Sequence, residues 1–308
     1  MDSTSDNPEP VVDDPKQLLE ESLSDNPSGS APKKKRRRPM LPIRVLYYIC
    51  FMFISIAVMA MIFEKSFIFF PSKYPDGYWN QPGLDPVDVG FEADDGTKLH
   101  GWYVAAEKPT AVILYCHGNA GNITHRGDIL RTLRDRVGAS VFIFDYRGYG
   151  RSEGRPNEPG ILKDARAARS KLAELAACEE SDIVLMGRSL GGGVAVDLAA
   201  SDGARGLVLE STFSNLPDVA AHHYPFLPVR ILMRTRMDSI AKIEKYKGPY
   251  LQSHGNADRI VPFEYGQKLF EASGRPDSDF YVIEGGDHND SQPSQYYERL
   301  REFILAIE

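Results

Sequence analysis

Six short apolar runs recur through most of the chain: AVILYC (111–116), VFIFDY (141–146), IVLMG (183–187), GLVLE (206–210), PYLQSH (249–254) and DFYVIE (279–284). Most are near-continuous rather than alternating, as expected of parallel strands covered on both faces. Helical periodicity fills the gaps, with Ile161, Ala165, Ala168, Leu172 and Leu175 on one stripe and Tyr297, Leu300, Phe303 and Ile304 on another. Two earlier strands, 88–93 and 98–105, flank Asp95-Gly96, a hairpin signal. Units that alternate in this way make a doubly wound, mostly parallel sheet with helices on both faces. The reading is one α/β domain over 87–308. The stretch from Ser211 to Lys247 is longer than the other crossovers and reads as a small lid. Phe213, Phe226 and Leu227 within it are either walls of a pocket or core contacts of that segment.

Upstream, the run from Val45 to Phe63 carries no charge. As a helix it spans roughly 28 Å at a rise of about 1.5 Å per residue, close to the hydrocarbon core of a bilayer. Lys33 to Arg38 (KKKRRR) and Arg44 precede it, whereas only Glu64, Lys65 and Lys73 follow closely. That bias predicts a single-pass transmembrane helix at 45–63, with a cytoplasmic N-terminus and everything beyond it non-cytoplasmic. A cleaved signal peptide, with Val58 and Ala60 at the cut, would need a far shorter basic leader. Orienting the span is a sufficient role for the basic run, so no nucleic-acid partner is expected. Residues 1–44 hold an acidic tail with few large apolar side chains, expected to be disordered, and the basic run. Much of the net charge of -7 sits in that tail and says little about what the folded part binds. Residues 64–86, rich in Phe, Tyr, Trp and Pro, link span and body. Their aromatics suit a headgroup layer, and Phe69, Tyr74 and Trp79 equally suit an arm packed on the body.

The pattern G-x-S-x-G occurs twice, as GRSEG (150–154) and GRSLG (187–191), so context must choose between them. A nucleophilic serine of this kind needs a strand, a sharp turn and a helix. Ser189 has all three: IVLMG runs into it and LGGGVAVDLAA leaves it, with small residues that bring the helix close to the sheet. Ser152 lies well past its strand and is followed by Pro156 and Pro159. The segment FDYRGYGRSEGRP reads as a structural loop braced by Asp145 and Arg147.

A serine hydroxyl needs a base, and the base needs a carboxylate to fix its tautomer. In sheets that present serine at such a turn, the acid and then the histidine follow it in the chain. Of seven histidines, His288 in EGGDHND lies after the last strand and before the last helix, where its loop can reach back over the strand ends. For the acid, Asp258 in SHGNADRIVP is the expectation and Glu210 its rival. Two backbone donors should stabilise the oxyanion: the N–H of Leu190, and that of Asn119, or failing it Ala120, in the HGNAGN loop (117–122). His117 reads as a brace of that loop. No phosphate loop, dinucleotide fingerprint or zinc spacing is present, and the Asp–His pairing in GDHND has no second ligand cluster, so no cofactor or metal is expected. The three cysteines do not set the compartment.

Taken together, HGNAGN, FDYRGYGRSEGRP, GRSLGGG, SHGNADRIVP and GGDHND resemble the membrane-anchored branch of the α/β-hydrolase superfamily, related to serine aminopeptidase-like and monoglyceride-lipase-like hydrolases. The similarity covers about residues 45–308. It implies the α/β-hydrolase fold and puts Ser189, Asp258 and His288 in the roles of nucleophile, acid and base. Relatives include protein depalmitoylases and lipid esterases. The expected partners are a small-molecule acyl ester, thioester or amide and, through residues 45–63, membrane lipid. Ester or thioester cleavage through an acyl-serine leads. Amide or peptide cleavage at the same three residues, and a silent fold that serves as a tethered binding protein, are the alternatives.

Overall fold

The computed structural model describes residues 41–275 and 278–307. The acidic tail and the Lys33–Arg38 run lie outside them. Helix α1 is Leu41–Ile62, so it begins before the uncharged run, takes in Arg44 and stops short of Phe63. None of its residues is buried, and its mean hydropathy reaches 2.5. It is the one helix among the described residues long and apolar enough to cross a membrane.

The body is an eight-stranded sheet in the order β1-β2-β4-β3-β5-β6-β7-β8. The strands are β1 Val87–Glu92, β2 Lys98–Val104, β3 Ala111–Cys116, β4 Ala139–Asp145, β5 Ile183–Arg188, β6 Gly206–Glu210, β7 Tyr250–Gly255 and β8 Asp279–Ile283. The β1–β2 hairpin pairs antiparallel and joins β4 antiparallel, and every other pairing is parallel. The helices after α1 are α2 Glu64–Ile68, α3 Gly127–Thr132, α4 Glu158–Ala176, α5 Leu190–Asp202, α6 Leu216–His223, α7 Val229–Leu232, α8 Ile240–Ile243, α9 Phe263–Ala272 and α10 Ser294–Ala306. All six apolar runs are thus strands, and the sheet is the mostly parallel, doubly wound one expected.

Because successive strand residues point to opposite faces, the sheet divides the core into two layers. Leu114, Phe142, Leu185 and Leu209 pack with Ile161 and Ala165 of α4 and Val194 of α5. Ile113, Val141, Val184 and Met186 pack on the other side with Leu130 of α3 and Leu300 and Ile304 of α10. The α4 stripe is buried from Ile161 to Leu172, but Leu175 is exposed, since the stripe runs off the sheet in the last turn. Asn157 caps α4 by accepting the Gly160 N–H at 3.0 Å. In the lid stretch Phe213 is buried, whereas Phe226 is 88% exposed.

The loop after β4 is structural, as its composition suggested. Ser152 donates to the Asp145 carbonyl at 2.6 Å and accepts the His100 N–H at 3.0 Å. Asp145 accepts the Ile123 N–H at 3.0 Å, which ties this loop to the one after β3. Arg147 donates to Asp164 at 2.7 Å and to Asp95 at 3.0 Å, joining loop, α4 and hairpin. Asp164 is fully buried, so removing its partner strands a charge in the core. Arg147→Met is expected to lower stability by about 3–5 kcal/mol, and adding Asp164→Leu to restore most of the loss, measured by urea unfolding. Equal losses in the single and double variants would contradict this account.

Candidate active site

Strand β5 and helix α5 set the position of Ser189. Its backbone sits at φ 52 and ψ -118, a conformation that side chains rarely adopt. Three contacts hold it there. The Ser189 N–H donates to the Glu210 carbonyl at 2.9 Å, and the Ser189 carbonyl accepts from Thr212 Oγ1 at 2.8 Å and from the Gly192 N–H at 2.9 Å. Neighbouring glycines are required by close approach. A Cβ on Gly191 would lie 2.0 Å from the Cys116 carbonyl oxygen, and one on Gly187 would lie 2.2 Å from that of Gly191.

The loops after β7 and β8 bring two side chains to this serine. His288 Nδ1–H donates to Asp258 Oδ2 at 2.7 Å, which leaves Nε2 to accept the Ser189 hydroxyl at 3.1 Å. Asp258 and His288 are both buried. Asp258 Oδ1 accepts the N–H groups of Ile260 (2.9 Å) and Val261 (2.8 Å). A second imidazole completes the carboxylate: His254 Nε2 lies 3.2 Å from Oδ2 and 2.9 Å from the Val261 carbonyl. Burial pushes the Asp258 carboxyl up, but the hydrogen bonds from His254, His288 and the Val261 N–H outweigh it and hold the group well below the usual carboxylate range. It stays ionised throughout the neutral range.

The rival acid behaves differently. Burial pushes the Glu210 carboxyl up, against the opposing charge of Arg188, and His288 is engaged by Asp258 instead. Asp287 and Asp290, too close in sequence to orient His288, tie the loop together. Asp287 accepts from Arg259 Nε at 2.8 Å and from the His288 N–H at 2.8 Å, and Asp290 accepts the Asp287 N–H at 2.8 Å. Arg188 donates to the His288 carbonyl at 2.7 Å and to that of Asp290 at 3.1 Å. His254, Arg188 and Arg259 therefore support the site from within the motifs, in places to which spacing assigned no role. Only the position of His254 just ahead of the acid hinted at its contact.

The loop after β3 passes beside the serine, with a Cβ placed on Gly118 falling 3.6 Å from that of Ser189. His117 is fully buried, and its Nδ1–H donates to the Gly118 carbonyl at 2.7 Å. Burial, with the charge of Arg126 adding to it, pushes His117 down to about 4, so it is a neutral brace at pH 7. The N–H groups of Asn119 and Leu190 make no hydrogen bond among the described residues. The Asn119 side chain has another task. It accepts the Phe70 N–H at 3.2 Å and the Tyr149 hydroxyl at 2.9 Å, and it donates to the Ile68 carbonyl.

Those bonds reveal what residues 64–86 do. The segment runs along the body as an arm. Gly121 and Phe70 or Ser72 exchange backbone bonds of 3.0–3.1 Å, as do Gly150 and Ser72 or Tyr74 at 2.9 Å. Phe69 is buried, and Trp79 packs edge-on against Trp102 with centroids 5.8 Å apart. Arg151 lies over the rings of Trp79 (4.3 Å) and Tyr74 (4.8 Å). Glu64 accepts the N–H groups of Arg234 (2.9 Å) and Thr235 (2.7 Å), so the arm also holds the middle of the lid stretch.

Ser189, Leu190, Asn119 and His288 open into a cleft of about 1050 Å³. Phe67, Ile68 and Phe70 of the arm and Phe213, Leu216 and Val219 of the lid stretch supply apolar wall. Phe226 and Leu227, the other two candidates for such a wall, are not part of it. Asn119→Ala removes the grip on the arm and should raise amide exchange at Phe70 by about tenfold or more, read by hydrogen–deuterium exchange. Unchanged exchange would mean the arm is held without it.

Known proteins share this architecture. Residues 107–235 match the family model described as serine aminopeptidase, S33. An uncharacterised protein of Mycobacterium tuberculosis is 37% identical over 74% of this chain and 82% of its own length. The α/β-hydrolase domain-containing protein WAV2 of Arabidopsis thaliana is 34% identical, over 66% of this chain and 72% of its own. Among solved structures, an esterase of Pyrococcus furiosus superposes with a TM-score of 0.64 at 20% identity, over 77% of this chain and 98% of the esterase. Shared sequence over most of the chain, on a sheet that presents a serine at a strand–turn–helix corner, makes this protein a hydrolase of the α/β-hydrolase superfamily.

Proposed function

We propose that the protein is a membrane-anchored serine hydrolase that cleaves carboxyl esters or thioesters of acyl, lipid-like substrates. The observation that carries the proposal is the hydrogen-bonded chain from the Ser189 hydroxyl through His288 to Asp258, of which Ser189 and His288 line a largely apolar cleft. In this reading Ser189 Oγ attacks the acyl carbonyl carbon while His288 Nε2 takes its proton. Ionised Asp258 stabilises the imidazolium and keeps it oriented. The N–H groups of Leu190 and Asn119 receive the oxyanion. As the tetrahedral adduct collapses, His288 returns the proton to the departing alcohol or thiol, leaving an acyl-serine. Water, deprotonated by His288, then attacks the same carbon and releases the carboxylic acid and free Ser189.

Two features support a lipid-like substrate near a membrane. Residues 45–63 serve as the span, 64–86 as the arm and 87–308 as the hydrolase body. Phe67 and Phe70, which follow the span within a few residues, line the cleft and remain more than half exposed (65% and 54%). The walls near the serine are therefore built from chain that emerges directly from the bilayer. The basic residues before the span favour a cytoplasmic N-terminus and a body on the opposite side. The description of the matching family model favours a second reading, aminopeptidase activity. Against it stands the cleft itself: Asp128 is the one carboxylate lining it among the described residues, and that group is paired with Arg131 at 3.0 Å. A free α-amine finds little there to balance its charge.

A fluorophosphonate probe should label the full-length protein, and Ser189→Ala should abolish labelling. On p-nitrophenyl esters, Asp258→Asn should cut kcat by about 10³–10⁴ while the fold survives. A clear preference for aminoacyl amides over the ester series would defeat the esterase assignment. For topology, a glycosylation reporter fused after residue 308 should be modified. An unmodified tag that is instead reached by a cytoplasmic protease would reverse the orientation.

A further inference from the structure

Part of the cleft is cationic. Arg126, Arg136 and Arg188 all line it, along with the polar side chains of Tyr115, Gln292 and Tyr297. Other arginines around the body are matched to carboxylates, such as Arg147 to Asp164 and Arg259 to Asp287. Arg126, Arg136 and Arg188 have no carboxylate within 4.0 Å among the described residues. Instead they bond to neutral oxygens: Arg126 to the Ala120 carbonyl at 2.7 Å, Arg136 to the Ser294 hydroxyl at 3.3 Å, and Arg188 to the His288 carbonyl at 2.7 Å. The Arg126 Nε is buried and has no acceptor.

Such an arrangement is costly unless an anion joins it. A guanidinium removed from water is stabilised by a counter-charge or by a full set of acceptors, and like charges raise each other's cost. Burial and the charge of Arg188 both work against the charged form of Arg126. The Glu210 carboxyl lies near Arg188 and, when charged, supports the guanidinium, but its own burial pushes it toward the neutral form. Arg136, stacked 5.5 Å from the Tyr297 ring centre, is exposed and able to reach an occupant of the cleft. A planar guanidinium matches the paired oxygens of a phosphate or carboxylate.

We propose that Arg126, Arg136 and Arg188 form a subsite for an anionic group carried by the substrate, a phosphate monoester or a carboxylate, while the apolar wall takes its acyl chain. The proposal rests on the ester-hydrolase reading above and narrows it to acidic acyl esters. Arg126 reaches the loop that holds Asn119, and Arg188 directly precedes Ser189, so an anion held by them sits next to the reacting carbonyl. The anion is retained in the product that bears it, and no further bond is made or broken.

The test uses the full-length protein and three short-chain esters with the same acyl group, kept below their micellar concentrations: a monoacylglycerol, its phosphate monoester and a twin bearing a carboxylate. At low salt, kcat/KM for at least one acidic ester should exceed that of the neutral one by about tenfold or more, and the preferred anion identifies the ligand. That ratio should fall about tenfold in Arg126→Gln, recover in part in Arg126→Lys, fall also in Arg136→Gln, and shrink at high ionic strength. Arg136 is exposed, so its variant tests the subsite even where Arg126→Gln fails to fold. Fluorophosphonate labelling of each variant reports whether Ser189 is intact. Turnover of the neutral ester with no acidic preference, or a ratio indifferent to both glutamine variants, overturns the subsite and leaves the hydrolase standing. Absence of turnover of all three esters, together with no labelling of Ser189, overturns both.

Discussion

The backbone of Ser189 is the constraint on which the rest of the site depends. A side chain held at φ 52 costs on the order of 1–3 kcal/mol, and it persists only where the surroundings over-determine it. Here they do. The residue is clamped between the Glu210 carbonyl, Thr212 and the first turn of α5, and α5 lies so close to β3 that only glycine fits at 191. The corner projects the hydroxyl from the sheet edge and opens the N-terminal turn of α5 beside it. Relaxing that turn would move the hydroxyl away from His288 and rotate the Leu190 N–H at the same time.

The other two loops are placed by contacts that do not pass through the serine. Arg259 and Asp287 join the loop after β7 to the loop after β8, and Arg188 pins the second of these through carbonyls. Asp258 accepts two backbone N–H groups and the His288 imidazole, and His254 Nε2, which also donates to the Val261 carbonyl, lies 3.2 Å from its Oδ2. Its oxygens therefore have a single comfortable orientation, and that orientation fixes the tautomer of His288. In the proposed mechanism the imidazole is thus aimed before any substrate arrives, so little reorganisation is left to the reaction step.

The arm links this preorganised edge to the apolar helix. Asn119 illustrates the economy of the arrangement: its side chain grips Ile68 and Phe70, while its backbone N–H has no partner among the described residues. One residue thereby joins an apolar wall of the cleft to the loop proposed to meet the oxyanion. The cleft that results has two characters, apolar where the arm and the lid stretch meet and cationic where Arg126, Arg136 and Arg188 gather. That division suits an amphiphile better than it suits a free amine.

Periodicity and spacing in the sequence alone determined the eight strands, the apolar helix and the strand–turn–helix setting of Ser189, because each rests on local pattern: run length, alternation, and whether a strand and a helix flank the turn. The order of Asp258 and His288 along the chain was legible for the same reason, since loops that follow parallel strands emerge at one edge. What only the tertiary structure decided is contact between segments far apart in sequence. That Phe226 is bare while Phe213 is buried, that residues 64–86 pack along the body as an arm, that His254 lies beside Asp258, and that three arginines face one cleft without a carboxylate partner among the described residues all depend on packing across the sheet. Side-chain burial and charge balance are set by neighbours that no local pattern names, so they became visible only once the chain was folded.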